Sequence, residues 1–591
     1  MEPISVILWN NLSLLLGIEE QVCIRRRISF LVESLFIKHQ GFRVFSSGSR
    51  AERLSIIGSD VDMMGGKNSN ILRHTKSKSQ EDLFLPSLQF RDLIVNILSN
   101  GIPGAYAHGP CATYQAPLEV EADILVCLAC KSWPRNALEW IHRDRPNGWP
   151  SPNLVQEIVQ DGCFLVPIGS PNSQESHIEW RISCSIAEKK LVHSFNHTQF
   201  LCYGLLKLFQ KHVINSNLHV KNLLCSYFLK TSLFYCIEEE NIAWNEENFL
   251  HCFWTCIRRL LKWVRDEYCP NYFIKDNNMF EGKVCGINSK ILFNHLFELY
   301  NDGLDSLQLI PYVHNFKLTT GITTNRFSIS NEMREYLCDM ELLIQTLDIG
   351  NYDCNGLKKL NDIIIQMLQE TTDSIGRVFL NLWYLNNTCY IVPFVYMDIQ
   401  TTITQKQRYR QILGLKQFIK DNCLVGDIST GMLMLATLCY LNGEYKEVII
   451  ISQKIIKKFK SHTFYVGHVR PIVFDHPYIS KMCGKHMTLN QKLAHGIFAR
   501  HFICLIDHKF YPQEIETELV HHSNLRTVYI PPVVYCNVLL CLSYYHMECR
   551  NRMRDTLKEL YITAVDDRFI AEQERPLAND LLQRCLQICE N

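Results

Sequence analysis

The sequence predicts an α+β fold, with a mixed sheet and helices in the first third of the chain and helix alone after it. Three observations carry this. Short apolar, strand-like runs at 42–46, 56–64, 123–129 and 163–168 are separated by helical stretches, as a mixed palm-type sheet requires. From 190 to about 310 the apolar spacing is helical throughout, which gives a bundle packed against the sheet. Beyond 330 the pattern becomes helix pairs with short turns.

In chain order, residues 5–40 have helical periodicity and read as one long helix. The next segment, 48–62, sets a Gly48-Ser49 turn eleven residues ahead of Asp60 and Asp62. Alternate residues of a strand share a face, so this acid pair projects two hard oxygen ligands to one side, suited to Mg²⁺ or Mn²⁺. The turn offers backbone N–H groups and a hydroxyl to triphosphate oxygens, and Gly48 lets the backbone come close. On spacing alone an exposed turn pair explains Asp-x-Asp. The preceding Gly-Ser and the apolar Leu54, Ile56 and Ile57 shift the reading to a nucleotidyltransferase palm. Residues 65–82 are polar and basic (Lys67, Arg73, His74, Lys76, Lys78) and read as a mobile loop.

A two-metal site needs a third carboxylate from a later strand. In 117–130, Glu119, Glu121 and Asp123 precede a buried-looking run. Asp123 abuts that run as Asp62 abuts Met63-Met64 and is preferred; Glu121, on the same strand face, is the alternative.

These features, with several ordered blocks, resemble the cyclic GMP-AMP synthase-like receptors among the Mab-21-like nucleotidyltransferases. Residues 178–189 (IEWRISCSIAEK), 224–231 (LCSYFLKT) and 270–280 (PNYFIKDNNMF) are similar to family segments. The segments 108–113, 130–134 and 196–207 look like the invertebrate, especially molluscan, branch. The resemblance covers about residues 15–310 and implies a role for each matching position. Asp60, Asp62 and Asp123 would hold the metal. Gly48 and Ser49 would meet the triphosphate, and Arg181 would lie over a purine. Ser183, Ser185 and Glu188 would contact nucleotide polar edges. Lys207 would reach triphosphate charge, Ser226 would donate to phosphate, and Tyr227 would stack on the second base. Arg53 stands where the branch usually has a second glycine, so either a strained backbone or a cation beside the phosphates is expected there.

The implied organisation is a nucleotidyltransferase core with its N-terminal helix (1–190), a helical Mab-21-like, HhH/H2TH-like domain (191–310), a connecting helical region (311–425) and an all-α region (426–591). In 431–460 a helix, an Asn442-Gly443-Glu444 turn and a second helix carry Ala436, Tyr440 and Tyr445 at tetratricopeptide-like positions, and 533–560 reads as a degenerate second pair. A plain helical bundle fits as well. Either way the region reads as an interaction or autoregulatory module, with a protein partner as its expected ligand.

At 591 residues, three or four units of ~150 residues are expected. Zero formal net charge excludes a global nucleic-acid signature, so any such binding needs a local patch. Twenty-five cysteines, many in apolar helical runs, read as reduced thiols. The apolar N-terminus lacks a basic flank and carries Asn10 and Asn11, which argues against a signal peptide. No apolar stretch reaches the ~20 residues of a membrane span, so a cytoplasmic protein without a membrane partner is expected.

Two cysteine–histidine groupings carry zinc-ligand types: His193, His197 and Cys202, and His251, Cys252, Cys256 and Cys269. Core packing is the simpler reading of both. Arg258, Lys262 and Arg265 share a helical face beside Arg259, and Arg25-Arg26-Arg27 forms a second basic cluster. By charge alone these are solvated faces. The resemblance implies a surface for double-stranded RNA or DNA as activator. Two readings of function follow. One is an enzyme making a cyclic dinucleotide second messenger from ATP and GTP in innate immunity. The other is a catalytically silent Mab-21-like binding protein or scaffold.

Overall fold

The computed structural model describes residues 2–40, 43–47, 52, 61–67, 86–101, 106–116, 120–170, 173–311, 331–345, 354–402, 404–424, 430–458, 464–466, 487–494, 498–523, 527–565, 570 and 574–590. They divide into two compact units, Met1–Ser328 and Ile329–Asn591.

The first unit is built on a seven-stranded mixed sheet: β1 (Arg43–Ser47), β2 (Val61–Lys67), β3 (Tyr106–His108), β4 (Cys111–Ala116), β5 (Val120–Cys130), β6 (Cys163–Val166) and β7 (Arg181–Ser183). The long strand β5 organises it. Its residues 122–128 run parallel to β2, its start pairs antiparallel with β4, and its end, 128–130, pairs antiparallel with β6. Strands β3 and β4, not singled out in the sequence, form a hairpin whose turn is set by Gly109 at a φ of +58°. The expected mobile loop begins inside β2, where Gly65–Lys67 pair with Val126–Leu128 of β5; residues 68–82 lie outside the described part.

Helices pack on the sheet and on one another. The helix His197–His212 is buried on nearly every side, and so is Ser226–Glu239. Helices apolar all round belong at the centre of a unit. They are enclosed by Glu2–Leu16 and Phe249–Asp266, and the aromatic cluster Trp140, Phe234, Tyr272 and Phe273 is fully buried beside them. Burying each such ring contributes about 1.5–3 kcal/mol.

The N-terminal segment is not one helix. It is Glu2–Leu16 and Glu19–Gln40, interrupted at Gly17, whose φ of +109° no continuing helix allows. A side chain at 17 would strike the Arg25 guanidinium, which lies 2.8 Å from where its Cβ would be and donates to the Leu16 carbonyl at 2.6 Å. Arg25 therefore caps the first helix, and Arg26 donates to the Val192 carbonyl at 3.1 Å, near the end of helix Ser185–His193. Two members of the expected basic cluster are thus committed to helix ends inside the unit.

The second unit has its own core, formed by residues from 389 to 585. The pair Thr430–Leu441 and Tyr445–Lys458 turns at Gly443, with a φ of +74°, and Tyr440 and Tyr445 meet edge to face at 5.5 Å. A second pair, Pro532–His546 and Arg550–Val565, is followed by Arg575–Glu590. The unit also holds two short strand pairs, β8 (Phe464–Val466) with β9 (Phe498–Arg500), and β10 (Phe502–Leu505) with β11 (Thr527–Ile530). Four-residue apolar runs such as Phe502–Leu505 are too short for a period of two to stand out from a buried helix turn. Among the described residues no helix is long and apolar enough to cross a membrane.

Candidate active site

The parallel pairing of β2 with β5 sets Asp62 and Asp123 in register, at one level of adjacent strands. Glu121, the alternative third acid, pairs with Gln115 of β4 and lies beyond the stretch of β5 that β2 pairs. Asp123 is half-buried, and the Thr113 hydroxyl, in register on β4, donates to its Oδ1. One carboxylate oxygen is thereby fixed, and among the described residues no hydrogen bond engages Oδ2. Gly48, Ser49, Arg53 and Asp60 lie outside the described residues.

Asp123 opens onto a cavity of about 490 Å³. Arg181, Ser183, Ser185, Glu188 and Tyr227 line it as well, together with Glu52, Lys189, Lys230, Asn271, Phe273 and Asn277. Six residues singled out from sequence therefore share one space. Strand β7 and the helix that follows it, Ser185–His193, supply one wall. The helix Ser226–Glu239 and the segment after Cys269 supply the other, where the Asn271 side-chain amide donates to the Tyr227 hydroxyl at 3.3 Å. Burial, with Glu188 close by, holds the Tyr227 phenol far above its ordinary pKa, so it stays neutral. Lys207 and Ser226 are not among the residues lining the cavity. Lys207 sets its ammonium over the Tyr203 ring at 5.7 Å, and Ser226 begins the helix that carries Tyr227.

The floor of the cavity holds a network that sequence reasoning missed. Lys230 Nζ lies 2.6 Å from Glu52 Oε1 and 2.6 Å from Glu188 Oε2, and the Tyr203 hydroxyl donates to Glu52 Oε2 at 2.7 Å. The Lys230 side chain is 8% exposed, Glu52 4% and Glu188 14%. Burial opposes the charge on Lys230, but Glu188 and Glu52 outweigh it and keep the ammonium charged well above the ordinary lysine range. The signal was available: a lysine amid Phe228, Leu229, Leu233 and Phe234 needs a buried anionic partner.

The zinc candidates do not assemble as grouped: Cys202 of the first set instead meets Cys256 of the second in a thiol–thiol hydrogen bond, with Cys236 and Cys252 close by. His197 is buried, with Nε2 at 3.1 Å from the Ser13 hydroxyl. Burial raises the thiols of Cys202, Cys252 and Cys256, which favours the protonated form over the thiolate that zinc requires. The described cysteines are free thiols. On the basic face, Arg258, Lys262 and Arg265 are exposed, Arg265 beside Asp266 at 2.9 Å, whereas Arg259 is spent on Glu239 and Glu240.

Residues 92–194 match the Mab-21 protein nucleotidyltransferase domain, and residues 199–294 match the Mab-21 protein HhH/H2TH-like domain. The chain is 25% identical over 187 residues to Cyclic GMP-AMP synthase of Sus scrofa, covering 28% of this chain and 36% of that protein. It is 27% identical over 161 residues to Protein mab-21-like of Drosophila melanogaster, covering 26% of this chain and 42% of that protein. The chain thus spans less than half the length of either relative. Asp123, Arg181 and Glu188 fall in the first matched domain, and Tyr227 and Lys230 in the second, so the cavity draws a wall from each.

Proposed function

From a chain that carries the nucleotidyltransferase and HhH/H2TH-like domains of the Mab-21 family, we propose a metal-dependent nucleotidyltransferase that joins ATP and GTP into a cyclic dinucleotide. The observation that carries this reading is the gathering of Asp123, Arg181, Ser183, Ser185, Glu188 and Tyr227 around one cavity of a size that suits a nucleotide.

Asp60, Asp62 and Asp123 would hold Mg²⁺ or Mn²⁺, and the fit rests on hard oxygen donors and on an Asp123 whose second oxygen no described residue engages. The cavity's charges make the same point. Among the described lining residues, Glu52, Asp123 and Glu188 stand against Arg181, Lys189 and Lys230, three against three, so those side chains by themselves offer a triphosphate no net attraction. Divalent ions, when held there, would supply that attraction and lower the pKa of an attacking ribose hydroxyl. The chain's own residues would do the rest. The Arg181 guanidinium and the Tyr227 ring offer planar faces for purines, and Ser183 and Ser185 offer hydroxyls to their polar edges. Thr113 fixes the Asp123 carboxylate, and Lys230 holds Glu188 in place. Gly48, Ser49, Lys207 and Ser226 would complete the phosphate contacts.

Duplex RNA or DNA would activate the enzyme through the exposed Arg258, Lys262 and Arg265, in a cytoplasmic sensing role, and the C-terminal helices would hold a protein partner. Incubation of purified protein with labelled ATP and GTP, Mg²⁺ or Mn²⁺, and duplexes of RNA and of DNA tests the reading. A cyclic dinucleotide is expected. No product under any condition supports the catalytically silent alternative.

A further inference from the structure

Among the described residues, one group of three metal-ligating side chains converges, and it lies in the second unit, away from any role assigned above. His521 ends the helix Glu516–His521, His522 follows it, and Asp580 stands on Arg575–Glu590. Their nearest ligand atoms lie within 4.8 Å of one another. Asp580 Oδ2 is 2.7 Å from His522 Nε2 and 3.9 Å from His521 Nδ1. Zinc bonds of about 2.0–2.1 Å in a tetrahedron separate ligand atoms by about 3.3 Å. The two observed separations bracket that value, and the third, between the two histidines, is within 4.8 Å.

The backbone under these side chains is already docked. Leu519 of the first helix and Ala578, Leu581 and Leu582 of the second are buried in the same core. Arg584, one turn beyond Asp580, is occupied by the Glu514 carbonyl at 2.7 Å and by Glu518 at 3.8 Å. Side-chain exposures of 75% for His521, 47% for Asp580 and 20% for His522 leave the group open to an ion and to a water as fourth ligand. Two imidazoles with one carboxylate favour late first-row divalent ions over Mg²⁺ or Ca²⁺.

We propose that His521, His522 and Asp580 form a zinc-class site that staples the helix Glu516–His521 to the C-terminal helix Arg575–Glu590. The ion binds the folded unit and therefore raises its stability by RT ln(1 + c/Kd), with c the free zinc concentration.

The test uses the full chain stripped with a chelator and titrated with zinc chloride, followed by calorimetry and thermal unfolding. Cobalt chloride replaces zinc to read coordination by its visible spectrum. Wild type should bind zinc with a rise in melting temperature and give the intense bands of four-coordinate cobalt. The variant His521→Ala/His522→Ala should bind at least about tenfold more weakly and lose both effects. Asp580→Asn, which leaves both histidines, serves as a second probe should the double variant fold poorly. Equal zinc affinity in wild type and variants, or no zinc-dependent shift in wild type, overturns the site.

Discussion

Lys230 is where charge, burial and the cavity meet, and Lys230→Met removes the charge while nearly keeping the volume. The substitution leaves Glu52 and Glu188, 4% and 14% exposed, without the cation that sits 2.6 Å from each. Deleting one partner of a buried ion pair costs about 3–5 kcal/mol, a large share of the 5–15 kcal/mol typical of a folded unit. Tryptophan emission in a urea titration suits the measurement, because of nine tryptophans only Trp383 lies in the second unit. The pH dependence distinguishes this cause from lost packing. The raised Lys230 pKa gives a contribution fully present below the ordinary lysine pKa of about 10.4 and lost only as pH rises through the folded value, so wild type is insensitive to it between pH 5 and 8. In the variant the cost comes from two uncompensated buried carboxylates, so it should be largest near neutral pH and shrink as pH falls toward the unfolded glutamate pKa of about 4.3. Adding Glu52→Gln and Glu188→Gln should recover most of the loss. A cost below about 1 kcal/mol, or one equal at pH 5 and pH 7.5, refutes the reasoning.

Asp60→Asn/Asp62→Asn should reduce product to background with an unchanged melting curve; wild-type synthesis in that variant would remove these residues from the metal site. Charge reversal at Arg258, Lys262 and Arg265 should weaken duplex binding and flatten its salt dependence by up to about three phosphate contacts, read as the slope of log K against log salt. An unchanged slope excludes this face. In the second unit, Glu514 is half-buried, yet the Tyr440 hydroxyl at 2.7 Å and His546 at 2.8 Å hold its carboxyl below the usual glutamate range. A depressed carboxyl stabilises above its unfolded pKa of about 4.3 and loses that contribution as pH falls through the folded value. Glu514→Gln should therefore make the second unit less stable at pH 7 and less sensitive to acid below pH 4, as measured by thermal unfolding across that range.

Much of the sheet was legible because buried strands leave continuous apolar runs, as in 123–129, and Asp123 stood out as the acid at the mouth of such a run. The cavity walls were legible from the blocks around Arg181 and Tyr227. Lys230 was overlooked although it sits in one of those blocks, because its partner Glu52 is 178 positions away and only folding joins them. The break at Gly17 was hidden by helical periodicity on both sides, since a lone glycine inside a helical pattern is often tolerated. Arg25 and Arg26 looked like a solvated basic cluster; counting charges does not reveal which guanidinium will meet a helix-end carbonyl. His521 and His522 are adjacent in sequence, but their third ligand lies on another helix.

The claim that the cavity between the two matched domains binds nucleotide is tested most directly by calorimetric titration of Mg²⁺-ATP into wild type, Arg181→Ala and Tyr227→Ala. Base stacking on such side chains contributes about 1–3 kcal/mol. Saturable binding to wild type, weakened about 5- to 150-fold in each folded variant, is the predicted result. Binding of equal strength in all three proteins, or none in wild type, contradicts it.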